Sequence, residues 1–185
     1  MEKVKLENKK EIMDMIEKAG DPENYETSWD ENGIPKSKKK SEIRKGRMSR
    51  ARGARFELKV RKDLEDKGRI VDKWTNNVDL PQNGESSGEG KLVPAKRKYN
   101  PFKKMLVVGT GFPDFISIKR IHEGAYSIIG VEVKINGILS KIEKEKCRWY
   151  LQKGIFSQIL VARAVQKGRK MEIEYVNFVE RYKKI

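Results

Sequence analysis

The sequence predicts a mixed α/β (α+β) fold, and three stretches carry the prediction. A 3.6-residue apolar stripe runs from Ser41 to Gly68, two alternating strands joined by a short turn span residues 112–134, and a capping-box helix at 140–153 leads into a further strand. The order is helix, strand, strand, strand, helix, strand, with extra elements at either end. Such an order implies a sheet covered by helices. Residues 1–45 read as an N-terminal extension with a helix and a basic linker, and 46–185 as the main domain with a mobile insertion at about 76–104.

Taken in order, residues 7–19 form a short amphipathic helix with Ile12, Met13 and Ile16 on one side, stopped by Gly20-Asp21-Pro22. It is either a loosely docked appendage or a dimerisation element. Residues 21–41 combine turn formers with Lys36, Lys38, Lys39 and Lys40 and are expected to be a flexible linker. The helix that follows carries Arg44, Lys45, Arg47, Arg50, Arg52 and Arg55 in its first half, a run suited to phosphate contacts. In its second half Leu64 lies about 20° around the helix from Glu57, Gly53 about 40° and Val60 about 60°. Glu57 therefore shares the apolar stripe of Phe56, Val60 and Leu64, and a glutamate there needs a partner. A metal site and an i+4 pair with Arg61 both supply one. Gly53 on the same stripe predicts a close backbone or phosphate approach.

Arg69–Thr75 reads as a strand. Asn76–Lys104, rich in Pro, Gly, Ser and Lys, is expected to lack structure of its own. Its end, with Lys96, Arg97, Lys98, Lys103 and Lys104 around Tyr99 and Phe102, suits clamping a nucleic-acid backbone, although disorder alone also accounts for it. Ser140 and Glu143 form the capping box of a helix expected to bury Ile142, Trp149 and Cys147 or Tyr150, with Gly154 just past its end. Strands at 156–165 and 171–176 and a short helix from Asn177 complete the chain.

Composition narrows the partners. The 185 residues carry a formal net charge of +15, which implies a polyanion. An anionic membrane surface competes with nucleic acid, but no apolar run approaches the roughly 20 residues of a span. Apolar residues are 37% and mean hydropathy is −0.77, so part of the chain is expected outside the packed core. The first eight residues lack an apolar segment of signal type, so a cytoplasmic protein is expected. The single Cys147 excludes an internal disulfide or a Cys-rich zinc site, and the single His122 falls in a turn. Hydrolytic chemistry here must use carboxylates and lysine, with no cofactor beyond a divalent metal.

The stretch Phe112–Lys134 concentrates those residues. If its hairpin closes about Glu123-Gly124, Asp114 stands opposite Glu132, and Lys134 shares the face of Glu132. Opposed carboxylates repel, and crowding them calls for a compensating cation such as a divalent metal. The alternative is an ordinary hairpin with two solvated acids; the flanking Val131 and Val133 and the apolar Phe115-Ile-Ser-Ile118 argue against it.

Pro113-Asp114 followed by Glu132-Val133-Lys134 resembles the signature of the PD-(D/E)XK nuclease superfamily, and the element order is similar to its restriction-endonuclease-like α-β-β-β-α-β core, a mixed sheet flanked by helices. Arg52-Gly-Ala-Arg-Phe-Glu57 with Gly68-Arg-Ile-Val71 resembles archaeal Holliday-junction resolvases. The spacing of Gly111-Phe-Pro-Asp114, Glu132-Val-Lys134, Trp149, Leu151 and Gly154 resembles VRR-type nuclease domains, although Glu143 and Glu145 stand where that pattern has a glutamine. The likeness covers about residues 50–165. It implies a Mg²⁺-dependent (or Mn²⁺-dependent) endonuclease acting on branched or duplex DNA as a homodimer. Glu57, Asp114, Glu132 and the Val133 carbonyl would be the metal ligands, and Lys134 would complete the catalytic set in an electrostatic role. A nucleic-acid-binding protein that does not cut, or a restriction-type or RNA nuclease, are the competing readings.

Overall fold

The computed structural model describes residues 6–81, 90–100, 104–109, 111–168 and 170–182. The chain divides into two compact units, Met1–Ala54 and Arg55–Ile185.

In the first unit, α1 (Leu6–Ala19) lies against the antiparallel pair β1 (Tyr25–Trp29) and β2 (Pro35–Lys39). Ile12, Met13 and Ile16 stay exposed on α1. The hairpin replaces the flexible linker expected at 21–41. Its cause is local: Asp30 Oδ1 accepts hydrogen bonds from Asn32 N (3.0 Å) and Ile34 N (2.9 Å), and Gly33 takes the left-handed φ of 72° that the turn requires. Across the strands the Thr27 and Ser37 hydroxyls pair at 2.8 Å, so polar contacts hold a ribbon with little to bury.

Helix α2 (Lys40–Asp66) gives its second half to the second unit. There follow β3 (Ile70–Lys73), β4 (Asn76–Asp79), β5 (Lys91–Pro94), β6 (Arg97–Asn100), β7 (Met105–Val108), β8 (Phe115–His122), β9 (Ala125–Val133), α3 (Lys141–Gln152), β10 (Gln158–Lys167), β11 (Lys170–Asn177) and α4 (Phe178–Arg181). Five strands form one mixed sheet in the order β11-β10-β9-β8-β3, parallel only between β9 and β10. That parallel pair needs a crossover, which α3 supplies.

Alternation along the strands builds two cores. On one face Phe56, Val60 and Leu64 of α2 cover Val71, Phe115, Ile129, Val131 and Ala162. On the other, Cys147 and Tyr150 of α3 pack with Phe112, Leu139, Phe156, Ile159, Val161 and Phe178. Ile142 departs from expectation and is exposed. At 100° per residue it lies about 140° around α3 from Cys147, outside the buried stripe. The sheet's one buried hydroxyl, Ser117, accepts from Arg69 Nε at 2.6 Å.

The insertion at 76–104 also differs from expectation. Instead of a structureless loop it forms two antiparallel hairpins, β4–β5 and β6–β7, with registers from Asn76↔Pro94 to Asp79↔Lys91 and from Arg97↔Val108 to Asn100↔Met105. Two glycines seat them. Gly109 N donates to Lys96 O (3.1 Å), and a Cβ at 109 would lie 2.5 Å from that oxygen. At Gly111 a Cβ would lie 2.3 Å from Trp74 O and 2.4 Å from Asn76 O. Gly53 is the opposite case. Among the described residues nothing lies within 4 Å of where its Cβ would be, so no protein backbone makes the close approach expected there.

The contrast is testable by urea unfolding. Gly111→Ala is expected to cost about 1–3 kcal/mol, since the contacts are rigid backbone oxygens. Gly53→Ala is expected to stabilise by about 1 kcal/mol through helix propensity. Equal effects at the two positions would contradict the packing described.

Candidate functional site

The site grows from the open end of the β8–β9 ladder. Pairing runs from Arg120↔Tyr126 to Phe115↔Val131, with an irregularity between Arg120 and His122 and a turn at Gly124 (φ 73°). This is the register of a hairpin closed about Glu123, and its next rung brings Asp114 to Glu132. There the side chains supply the bonds: Asp114 N donates to Glu132 Oε2 (3.1 Å), and Val133 N donates to Asp114 Oδ2 (2.9 Å). Trp74 N donates to Asp114 O at 3.2 Å, tying the same point to the end of β3. Gly130 leaves room for Pro113, whose Cγ would stand 2.8 Å from a Cβ at 130. In extended backbone the N–H and C=O of one residue face the same edge, so the Val133 carbonyl faces the Asp114 side.

Glu132 is only 4% exposed. Lys134 Nζ bridges Glu132 Oε1 (2.9 Å) and Glu143 Oε1 (2.8 Å). Glu143 is in turn fixed by the capping box, where its Oε2 accepts from Ser140 N (2.7 Å) and Ser140 Oγ accepts from Glu143 N (3.3 Å).

These contacts set the protonation. Burial, followed by the Asp114 charge, pushes the Glu132 carboxyl up to about 8, against the opposing pull of Lys134. Burial also raises Asp114; the Val133 N–H lowers it and the Glu57 charge raises it further. For Lys134 burial favours the neutral amine, but its bonds to Glu143 and Glu132 outweigh this and raise it above the ordinary lysine value. Glu143 is lowered, because the Lys134 and Ser140 hydrogen bonds exceed its burial cost. These ion pairs favour the charged ammonium of Lys134 over the free amine.

Glu57 pairs with a cation other than the expected Arg61. Its Oε2 accepts from Lys73 Nζ at 3.2 Å, while Arg61 turns to Glu65 Oε1 (2.9 Å) and to Val71 O (3.1 Å). Among the described residues no three carboxylate, thiol or imidazole groups converge as an ion-binding set. The reason lies in the faces of the sheet. Lys73 pairs in register with Phe115, on the α2 face, whereas Glu132 and Lys134 share the parity of Gly130 and project toward α3. Glu57 thus reaches Asp114 by its charge and not by a shared ligand position.

The arginines predicted to touch phosphate are all exposed on α2: Arg44, Arg47, Arg50 and Arg52 in the first unit and Arg55 in the second. Lys96 and Arg97 are exposed, Lys98 lies in β6, and Lys104 is exposed with a φ of 48°. Lys103 lies outside the described residues. Sequence reasoning missed two residues of the site. Glu143 was read as a helix cap and as a departure from the VRR-type glutamine, not as a partner of Lys134, although a carboxylate one helix after the Glu-Val-Lys segment is a signal worth following. Lys73 had no signal, because its partner is set by packing of α2 on β3. No helix among the described residues is long and apolar enough to cross a membrane. Comparison with protein-family models, with curated proteins and with solved structures found no match.

The carboxyl groups also predict a pH dependence. In metal-free buffer burial and then the Asp114 charge push the Glu132 carboxyl up to about 8, above its ordinary value of 4.5, so folding favours its protonated form over that window. Its contribution to stability is thus full below about 4.5 and is lost as pH rises through about 8. Melting temperature in EDTA should fall over this range, and Glu132→Gln should flatten the fall. An unchanged slope in the variant would show that Glu132 does not carry it.

Proposed function

We propose that the chain is a metal-dependent endonuclease with a restriction-endonuclease-like core that hydrolyses DNA phosphodiester bonds, selects branched structures and acts as a homodimer. The observation that carries the reading is the pair of half-buried Asp114 and buried Glu132, bonded reciprocally to backbone and flanked by the Lys134 cation. Burial and the Asp114 charge raise the proton affinity of Glu132, so the pair favours added positive charge, and its hard oxygen donors suit Mg²⁺ or Mn²⁺. Asp114, Glu132 and the Val133 carbonyl would hold the ion, with Glu57 as a more distant acid. A divalent cation bound there supplies an acidified water and neutralises charge on the phosphate.

The residues divide the remaining work. Lys134 stays protonated and stabilises negative charge on the reacting phosphate. Glu143 keeps Lys134 in place when its bond to Glu132 is given up. The arginines at 44, 47, 50, 52 and 55 and the basic residues 96–104 hold the phosphate backbone without reading sequence. The sequence resemblance and the net charge of +15 support the same substrate class.

One observation favours a second reading, a domain that binds nucleic acid without cutting. Glu57 is committed to Lys73, so the described acids do not converge as a third ligand would. That domain would show no metal-dependent change in melting temperature.

Cleavage of labelled four-way junction, flap, duplex and single-stranded DNA in Mg²⁺, Mn²⁺ or EDTA separates the two readings. Metal-dependent cutting is expected, fastest on a branched substrate. Asp114→Ala and Lys134→Ala should each lower the rate by about 10²-fold or more while remaining folded. Tight binding with no cutting in either metal would reject the nuclease.

A further inference from the structure

A second feature of the same unit lies beyond the carboxylate site. The β4–β5 hairpin, the Lys96–Gly109 contact and α3 enclose a cavity of about 500 Å³, within the size range of small-ligand sites. Val78, Val93, Pro94 and Ala95 give it an apolar wall. Its polar groups are Asn77, Lys96, Lys146 and, in the exposed part of the rim, Asp79. Lys146 Nζ donates to the neutral Asn77 Oδ1 (2.8 Å), which also accepts from Val78 N (2.9 Å), and lies 5.8 Å from the Phe112 ring centre. The Lys146 ammonium is thus held by an amide and an aromatic face, on a residue that lines the cavity. A hollow of about 580 Å³ adjoins it, shares Val78, Asp79 and Lys146, and exposes Ile142 and Leu80.

Position ties this cavity to the site. Lys146 lies one helical turn after Glu143, and Phe112 is two residues before Asp114. An apolar wall beside two ammonium groups fits a ligand with a flat apolar body and an attached anion. A base inside a duplex is paired and stacked and cannot enter without unpairing. We infer that the cavity seats one unstacked nucleotide of a single-stranded segment, its base on the Val93–Ala95 wall and its phosphate on Lys146 and Lys96. This rests on the reading of the chain as acting on nucleic acid, and it makes an unpaired strand beside the cleaved bond part of what is recognised.

Fluorescence anisotropy of the full chain in EDTA tests it, with a labelled short oligothymidine and a blunt duplex of equal length as probes. Lys146→Gln keeps a donor for Asn77 but loses the charge; Val93→Ser alters the wall. Each is expected to weaken oligothymidine binding, Lys146→Gln by about tenfold, and to leave duplex binding within about twofold. Lys146→Gln should also reduce the slope of log K against log salt by about 0.7 for the single strand. Lys146→Met, which keeps the apolar stem and loses the charge, repeats the measurement should either variant melt early. Equal losses on both probes, or no loss on oligothymidine, would overturn the seat. Because no cleavage is read, a binding loss confined to the single strand would stand even if the chain never cuts, and cutting with an inert cavity would remove the seat alone.

Discussion

Where β8 and β9 stop pairing through their backbones, the ladder is continued by two carboxylates: the Asp114 N–H reaches Glu132, and the Val133 N–H reaches Asp114. The rest of the site depends on this exchange. Each acid accepts from backbone beside the other, so neither can rotate into solvent without leaving a partly buried N–H unpaired. The register is thereby held at the end where the strands would otherwise fray, and two like charges are kept closer than either would choose. The cost appears as proton affinity: burial first, and the Asp114 charge after it, push Glu132 up to about 8.

The sheet decides which cations can offset that cost. Glu132 lies on β9, between β8 and the parallel β10, and its Oε2 is taken on the β8 side by the Asp114 N–H. Its Oε1 meets a cation on the α3 face, where Lys134, two residues on, stands by the period of the strand. On the α2 face a separate pair forms between Glu57 and Lys73. The two ion pairs lie on opposite faces of one sheet end and meet only through the field at Asp114, which Glu57 raises and both lysines lower.

How much of this was legible depends on the range of the cause. The β8–β9 register followed from period-two alternation and a single turn, so the opposition of Asp114 and Glu132 could be read directly. The capping box at Ser140 was equally local. The β1–β2 hairpin and the β4–β7 ribbons were not read as strands, because lysine, asparagine and proline break the pattern in at least one strand of each pair. Turn bonding at Asp30 and backbone seating at Gly109 and Gly111 hold them where alternation is weak. The exposure of Ile142 could have been read from its angle to Cys147. The partner of Glu57 could not: Arg61 was the near choice by spacing, and only the packing of α2 across β3 brings Lys73 to it. A carboxylate's place on a helix was visible, but not the cation that a distant strand supplies.

Lys134 shows why the second helix belongs to the site and is more than its support. A lysine bonded to one buried acid would be locked, since leaving it would strand both charges. Here Nζ has two acceptors at nearly equal distance, 2.9 Å to Glu132 and 2.8 Å to Glu143. It can release one and remain paired through the other. Each acid has its second oxygen on a backbone N–H, Glu132 on that of Asp114 (3.1 Å) and Glu143 on that of Ser140 (2.7 Å), and α3 is anchored by Cys147 and Tyr150, both fully buried. The ammonium is thus tethered from both the strand and the helix. A cation with a partner on each element keeps one of them when the other is given up, which a lysine paired to Glu132 alone could not do.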